Sequence, residues 1–180
     1  RFGSIPAVVP GINDTVNISL GTTVFVTQGQ SARMVYVGYT GNGGPAILEL
    51  RSAARSYSLI VGLSVFIAPN CSFQYQSTAT GRPTVNIGKD IINSGNIDFY
   101  ANAANFADLV FNSSQNSIVS NGTWDLGTVT INKSSRAGTL TANSNTFELA
   151  IRTLNINTGT FNHNNTGIYS INSGVNYKIG

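Results

Sequence analysis

Short apolar runs that alternate with polar residues fill this chain, and each is closed by a turn residue after three to five positions. Val16, Ile18 and Leu20 keep a period of two, Gly21 interrupts it, and Val24 and Val26 resume it. The same rhythm returns at Val35/Val37, Leu48/Leu50, Val85/Ile87, Leu109/Phe111, Trp124/Leu126, Val129/Ile131 and Leu154/Ile156. A period of two marks extended backbone, whose side chains point alternately to opposite faces. Alanine clusters suggest helix at 52–56 and 101–108, but both segments are too short to persist as helices alone. The expectation is an all-β chain.

The punctuation between runs is repetitive. Ile92-Asn93-Ser94-Gly95, Ile156-Asn157-Thr158-Gly159 and Ile171-Asn172-Ser173-Gly174 share one phrase, and each lies beside another alternating run. Varied hairpin loops would point to an antiparallel sandwich; one repeated strand–turn phrase points to coils stacked on coils. Asn beside the corners fits this reading, because its amide can ladder between equivalent positions of neighbouring coils. The chain therefore reads as a right-handed parallel β-helix (β-solenoid), the hand following the crossover rule for parallel strands. Coils of about 15 to 25 residues are expected, about eight to ten of them at a rise of about 4.8 Å each. Residues 1–80 read as a β-rich N-terminal capping region and 81–180 as regular coils, one continuous domain and a fragment of a larger protein. The run Leu59, Val61, Leu63, Val65, Ile67 holds its phase, with Ile60 and Phe66 opposite, so it reads as one strand buried on both faces.

Composition removes several classes of function. Asn, Thr, Ser and Gly fill 78 of the 180 positions, and only 9% of residues are charged. Disorder is excluded, because β-branched and aromatic residues are plentiful and the net charge is only +3. The sequence pI of 9.2 does not point to nucleic acid, since the cationic residues are scattered rather than gathered on one tract. Cys71 is the sole cysteine, which rules out an internal disulfide and a cysteine-based metal site and leaves a small buried thiol as its expected role. No run of 18 apolar residues is present to span a membrane as a helix. The opening Arg1-Phe2-Gly3, without Met or a signal-peptide pattern, reads as a processed end or a piece of a longer chain.

Three stretches carry a family resemblance. Pro10-Gly11-Ile12-Asn13-Asp14-Thr15-Val16-Asn17-Ile18 followed by Gly21-Thr22-Thr23-Val24 resembles the opening strands of large secreted β-helix proteins of Bacteroidota. Val85-Asn86-Ile87-Gly88 through Ile97-Asp98-Phe99 is similar to their layered coil, and so are Val129-Thr130-Ile131-Asn132-Lys133 and Leu154-Asn155-Ile156-Asn157-Thr158-Gly159-Thr160-Phe161. The three touch about half the chain. The resemblance implies a surface-exposed protein exported by the type IX route, commonly an adhesin and in some members one used in gliding motility. It also implies a carboxy-terminal sorting domain, which this sequence does not display. Asp14-Thr15-Val16 is similar to the O-glycosylation phrase of that group and points to Thr15 as a modified residue.

Candidate chemistry is sparse. The seven carboxylates are Asp14, Glu49, Asp90, Asp98, Asp108, Asp125 and Glu148. A polysaccharide-processing β-helix needs two or three acids converging on one face, and a cluster of Asp90, Asp98 and Asp108 with an arginine would supply it. His163 is the single histidine and has no partner for a metal site or a catalytic triad. Gly38-Tyr39-Thr40-Gly41-Asn42-Gly43-Gly44 lacks the Lys-(Ser/Thr) and the long helix of a phosphate loop. Asn-x-(Ser/Thr) sequons at Asn13, Asn17, Asn70, Asn112, Asn121, Asn132 and Asn164 matter only in an N-glycosylating secretory setting. Tyr36, Tyr39, Tyr57, Tyr75, Tyr100 and Trp124 could stack on sugar rings but are spread along the sequence, which favours packing and corner capping for most of them. No catalytic, metal or cofactor residue is assigned. The expectation is a non-enzymatic structural or adhesive segment of a surface protein, extracellular or attached to the outer membrane. Its partners would be the export machinery and then surface glycans or proteins. A glycan-binding or polysaccharide-processing β-helix and a phage tail-fibre coil are the alternatives.

Overall fold

The computed structural model describes residues 9–51, 56–76, 78, 80–143, 148–163 and 176–179. All regular structure in it is strand. The first coil is β1 (Thr15–Ile18), β2 (Thr23–Val26) and β3 (Gln30–Ala32), and the second is β4 (Met34–Val37), β5 (Ile47–Leu50) and β6 (Ser58–Val61). The third is β7 (Val65–Ile67), β8 (Ser72–Tyr75) and β9 (Thr84–Ile87), and the fourth is β10 (Ile91–Asn93), β11 (Asn96–Asp98) and β12 (Asp108–Phe111). Then come β13 (Ser117–Ser120) with the long β14 (Thr123–Asn132), β15 (Thr139–Ala142) with the long β16 (Glu148–Thr158), and finally β17 (Thr160–His163) and β18 (Asn176–Ile179).

Each strand pairs in parallel with its counterpart one coil away. One sheet runs β1-β4-β7-β10-β13-β15-β17, and β14 joins the other two faces into a single sheet by pairing β11 through its first half and β12 through its second. This is a parallel β-helix, as the stacked strand–turn phrases predict. Val16 is in register with Val35, Val35 with Val65, Val65 with Ile91, Ile91 with Val119 and Val119 with Ala142, steps of 19, 30, 26, 28 and 23 residues. Coils are therefore longer than the sequence suggests, and among the described residues the first sheet has seven strands rather than eight to ten. The extra length sits in corner loops, such as 99–107 between β11 and β12.

The interior is a set of columns, built from the inward side chains at alternate strand positions. Ile18, Val37 and Ile67 are buried on the first sheet, Leu48, Phe73, Ile97 and Trp124 on the second, and Leu59, Val85, Leu109, Val129 and Leu154 on the third. Phe73 and Phe99 meet edge to face at 4.7 Å. In-register stacking buries like on like, so the core is continuous along the axis and needs no second layer.

Two local expectations are corrected. Leu59 to Ile67 is not one strand: β6 and β7 are separated by a corner at Gly62, Leu63 and Ser64, and Ile60 is 44% exposed. A three-residue corner takes an odd number of positions and so preserves the phase of inward residues on both sides, which mimics an unbroken strand. Conversely, Trp124/Leu126 and Val129/Ile131 belong to one continuous strand whose inward phase slips at Gly127 and Thr128, where β14 turns from the second face to the third. The alanine-rich segment 101–108 is a projecting loop closed by a Tyr100–Phe106 antiparallel bridge, with the Asn102 Oδ1 accepting from Ala104 and Asn105 N–H. The other helix candidate, 52–56, lies largely outside the described residues.

Candidate functional site

The outward positions of the first sheet gather aromatic residues. Asn17, Tyr36, Phe66 and Ile92 form one register column. The Tyr36 and Phe66 rings are stacked at 4.6 Å and 8°, and Tyr39, 55% exposed, tilts against Tyr36 at 5.4 Å. Beside this column runs a second one, Gly38, Ala68 and Ser94, whose small side chains leave an open groove of about 260 Å³ between the two. Gly38 has to be small: its φ is +87°, and a Cβ there would lie 2.5 Å from the buried Cys71 Sγ and 2.8 Å from Ala68 Cβ. The groove contains no charged side chain. It offers ring faces, two tyrosine hydroxyls and the Ser94 hydroxyl, the mixture that suits an uncharged amphipathic ligand.

The aromatic strip was hidden in the sequence because Tyr36 and Phe66 are far apart along the chain and only the parallel register brings them together. The remaining aromatics pack as expected of core and corner residues. Tyr57 donates its hydroxyl to Val26 C=O at 2.6 Å, and burial pushes that hydroxyl up to about 12. Tyr75 is buried and donates to Gly81 C=O at 2.8 Å, while the buried Trp124 donates Nε1–H to Asn121 C=O.

The carboxylates do not converge as a trio. Asp90 sits at the corner before β10, accepting from Ile118 N–H at 2.9 Å, with Lys89 Nζ at 3.6 Å. Asp98 and Asp108 flank the loop 99–107 on different faces. Asp108 makes a two-pronged pair with Arg82 at 2.8 Å for both bonds, and Arg82 lies 4.1 Å from the Phe106 ring centroid. Asp98 is in register with Asp125, which is ion-paired to Arg152, and Arg152 lies 3.9 Å over the Tyr100 ring. Burial raises the Asp98 carboxyl above the ordinary range, opposed by the Tyr100 N–H and by Arg152. Tyr100 and Phe106 are thus each covered by an arginine, and each arginine is held by a carboxylate of a neighbouring coil. The ring of Phe106 also fills the space a Cβ at Gly127 would need. This geometry fastens the loop to the bend of β14.

The other carboxylates and the single thiol serve packing. Glu49 accepts from Gln74 Nε2 at 2.8 Å and pairs with Arg51, which covers Phe25 at 3.5 Å. Asp14 caps the turn from Gly11, whose N–H reaches Oδ2 at 2.7 Å. Cys71 is fully buried, its Sγ accepting from Ala46 N–H at 3.4 Å. Thr15 is exposed at the start of β1. His163 pairs through its backbone with Ala142, and its side chain lies outside the described residues, as does that of Glu148. Asparagine ladders are fewer than the sequence suggests: among the described residues Asn112 donates to Asn86 at 3.1 Å, whereas Asn96 accepts from Thr123.

One chemical group escaped the sequence reading. Lys133 is 2% exposed, and its Nζ donates to Gln115 C=O at 2.8 Å and to the enclosed Ser117 Oγ at 2.6 Å. A lysine–serine pair can serve as base and nucleophile, but here both groups are sealed inside a corner, so the bonds close the coil. Burial lowers the Lys133 ammonium below its ordinary range, opposed by the charge of Asp90. A lysine easier to deprotonate in the folded than in the unfolded chain lets the unfolded state bind more protons between the two pKa values. Stability contributed at this site is therefore expected to rise with pH from the lowered folded value to the unfolded value of about 10.4. Denaturant titrations of wild type and Lys133→Met across that window check this: the difference in stability between them should move in favour of wild type as pH rises. A difference independent of pH would refute it.

No helix among the described residues is long and apolar enough to cross a membrane. Comparison of the chain with protein-family models, curated proteins and solved structures finds no match in any of the three.

Proposed function

We propose that this chain is a non-catalytic structural and adhesive segment of an exported cell-surface protein, of the type IX cargo kind its strand phrases resemble. The observation that carries the adhesive part is the uncharged groove beside Tyr36, Phe66 and Tyr39 on the outer face of the first sheet. A solenoid supports such a role, because it holds side chains at fixed intervals of about 4.8 Å along a rigid axis and repeats an outward surface coil by coil. Its partners are the secretion machinery during export and surface glycans or proteins afterwards, and its location is extracellular or on the outer membrane. The scattered, internally paired charges speak against nucleic acid.

A glycan-binding role is the second reading, favoured by the same tyrosines. Tyr39→Ala is expected to weaken adhesion to glycan-coated surfaces about tenfold, the worth of one stacked ring, with the thermal midpoint unchanged because Tyr39 is exposed. Retained adhesion in Tyr39→Ala and in Tyr36→Ala would remove the groove from the mechanism. Surface labelling of intact cells tests the location, and recovery of the protein only from the cytoplasm would end the export reading. Thr15 is the residue proposed for O-glycosylation, which a mass measurement on the peptide carrying it would decide.

A further inference from the structure

The two central rings of the groove on the first face are closed to stacking by a ligand. Tyr36 and Phe66 lie parallel at 4.6 Å, so each covers one face of the other. The register sets Asn17 one coil before Tyr36 and Ile92 one coil after Phe66, each step about 4.8 Å, which turns mainly ring edges toward solvent. Tyr39 differs. It is 55% exposed and tilts at 60° to Tyr36 instead of stacking on it, so one of its faces stays open. The loop that carries it is tied to the first coil, Leu20 N–H donating to Thr40 C=O at 2.9 Å and Gly21 N–H to Gly44 C=O at 2.6 Å. The open face is therefore placed before a ligand arrives, and little further ordering is needed on binding.

What surrounds that face excludes three classes of ligand. An anion finds no cation in the groove and no free donor in its floor. Gly38 and Tyr39 N–H both reach Ile18 C=O, Ala68 N–H reaches Val37 C=O, and Ser94 N–H reaches Ile67 C=O. An extended peptide finds no sheet edge to join, because β4 lies between β1 and β7, and β7 between β4 and β10. A purely apolar ligand would cover the hydroxyls of Tyr36, Tyr39 and Ser94 without bonding them. These three have no hydrogen-bond partner among the described residues, and each can both donate and accept.

We infer that the groove binds an uncharged sugar by one ring: the apolar face of a single pyranose lies on Tyr39, and its hydroxyl groups meet the unpartnered hydroxyls that line the groove. This rests on the adhesive reading of the same groove and narrows it to the ends or side branches of neutral glycans. The room is made by the small residues Gly38, Ala68 and Ser94, and at Gly38 smallness is enforced by the Cys71 thiol beneath it. The volume of about 260 Å³ falls below the range of about 300–1,000 Å³ that drug-sized ligands occupy, which suits one ring rather than a chain.

NMR titration of the full 180-residue chain, followed on its aromatic signals, tests this. The neutral probes are the methyl glycosides of glucose, galactose and mannose, and the anionic probes are glucuronic acid and glucose 6-phosphate. For whichever neutral sugar binds, its β-1,4-linked trisaccharide is the third probe. At least one neutral glycoside should bind in the millimolar range, the anionic sugars should not, and the trisaccharide should bind no more tightly than the glycoside. Tyr39→Ala should weaken binding about tenfold, whereas Phe66→Leu should not weaken it, since no face of Phe66 meets the sugar. Ser94→Leu, at an exposed position, should block the groove and leave the thermal midpoint unchanged. A loss in Phe66→Leu equal to that in Tyr39→Ala, equal affinity for the anionic sugars, or tighter binding of the trisaccharide would overturn the inference. So would a chain that binds none of the neutral glycosides while its adhesion still falls in Tyr39→Ala, an outcome that leaves the adhesive reading standing. Adhesion unmoved by both Tyr39→Ala and Tyr36→Ala removes the two together.

Discussion

Replacing Gly88 by alanine is expected to cost the solenoid about 3 kcal/mol or more and to lower its thermal midpoint by about 6–12 °C, as measured by circular dichroism. Gly88 turns the chain from the third face to the first, directly over the equivalent Gly62 of the coil before. A Cβ built on Gly88 would collide with the carbonyl oxygen of Gly62 and lie 2.6 Å from its carbonyl carbon. Flexible side chains can rotate away from an added methyl, but peptide groups cannot. Here both glycines are pinned by ladder bonds, Gly88 N–H to Val61 C=O at 2.8 Å and Gly62 N–H to Ala32 C=O at 2.9 Å. Relief requires parting two coils, and the strain passes on to Ser113, whose hydroxyl donates to the Gly88 carbonyl from the following coil. Gly44→Ala is the control, because nothing lies within 4 Å of a Cβ at that position. Its midpoint should stay within about 1–2 °C of wild type, since a surface change of this kind is worth at most about 0.5 kcal/mol. Equal midpoints for the two variants would show that the corners do not set the coil spacing.

Gly88 also marks where the sequence stops being legible. It stands in Ile87-Gly88-Lys89, with none of the turn pairs that flag Gly95, Gly122 or Gly159, and its constraint comes from a residue 26 positions earlier. What the sequence does carry is the inward alternation, because burial of every second side chain acts within one strand and needs no knowledge of neighbours. Strand existence and the all-β class follow from that local signal, whereas the stacked architecture is read from the repeated strand–turn phrase. Coil length, the corner inside Leu59 to Ile67 and the bend inside β14 do not, since corners of odd length preserve the inward phase and a continuous strand can slip it. The Tyr36–Phe66 strip, the arginine covers on Tyr100 and Phe106 and the sealed Lys133 are contacts between coils. They depend on register, which is fixed only once coils of 19 to 30 residues have been counted off.

The repeated Ile-Asn-(Ser/Thr)-Gly phrase gives the sharpest separation between sequence likeness and physical role. Asn93 lies at the corner from the first face to the second and is fully buried. Its Oδ1 accepts from Gly95 N–H at 2.9 Å, and its Nδ2 donates to Thr123 C=O of the next coil at 3.0 Å. Asn157 lies near the end of β16, at the corner from the third face to the first, and is exposed; the third copy, at Asn172, falls outside the described residues. The copies therefore do not stack on one another, and identical words serve different corners. Asn93→Ala removes both bonds at once and leaves the Gly95 N–H and Thr123 C=O unpaired at a part-buried corner, at about 1–3 kcal/mol for each unsatisfied group. It is expected to lower stability by about 2–4 kcal/mol, whereas Asn157→Ala should change it by no more than about 0.5 kcal/mol. Asn93→Asp is expected to be as damaging as Asn93→Ala, because it sets a carboxylate against the Thr123 carbonyl in a buried corner and loses the donor. Urea titrations of the three variants decide the matter. Equal losses at Asn93 and Asn157 would mean that the phrase itself, through its local turn, does the work in both places, and that the contact between coils adds nothing.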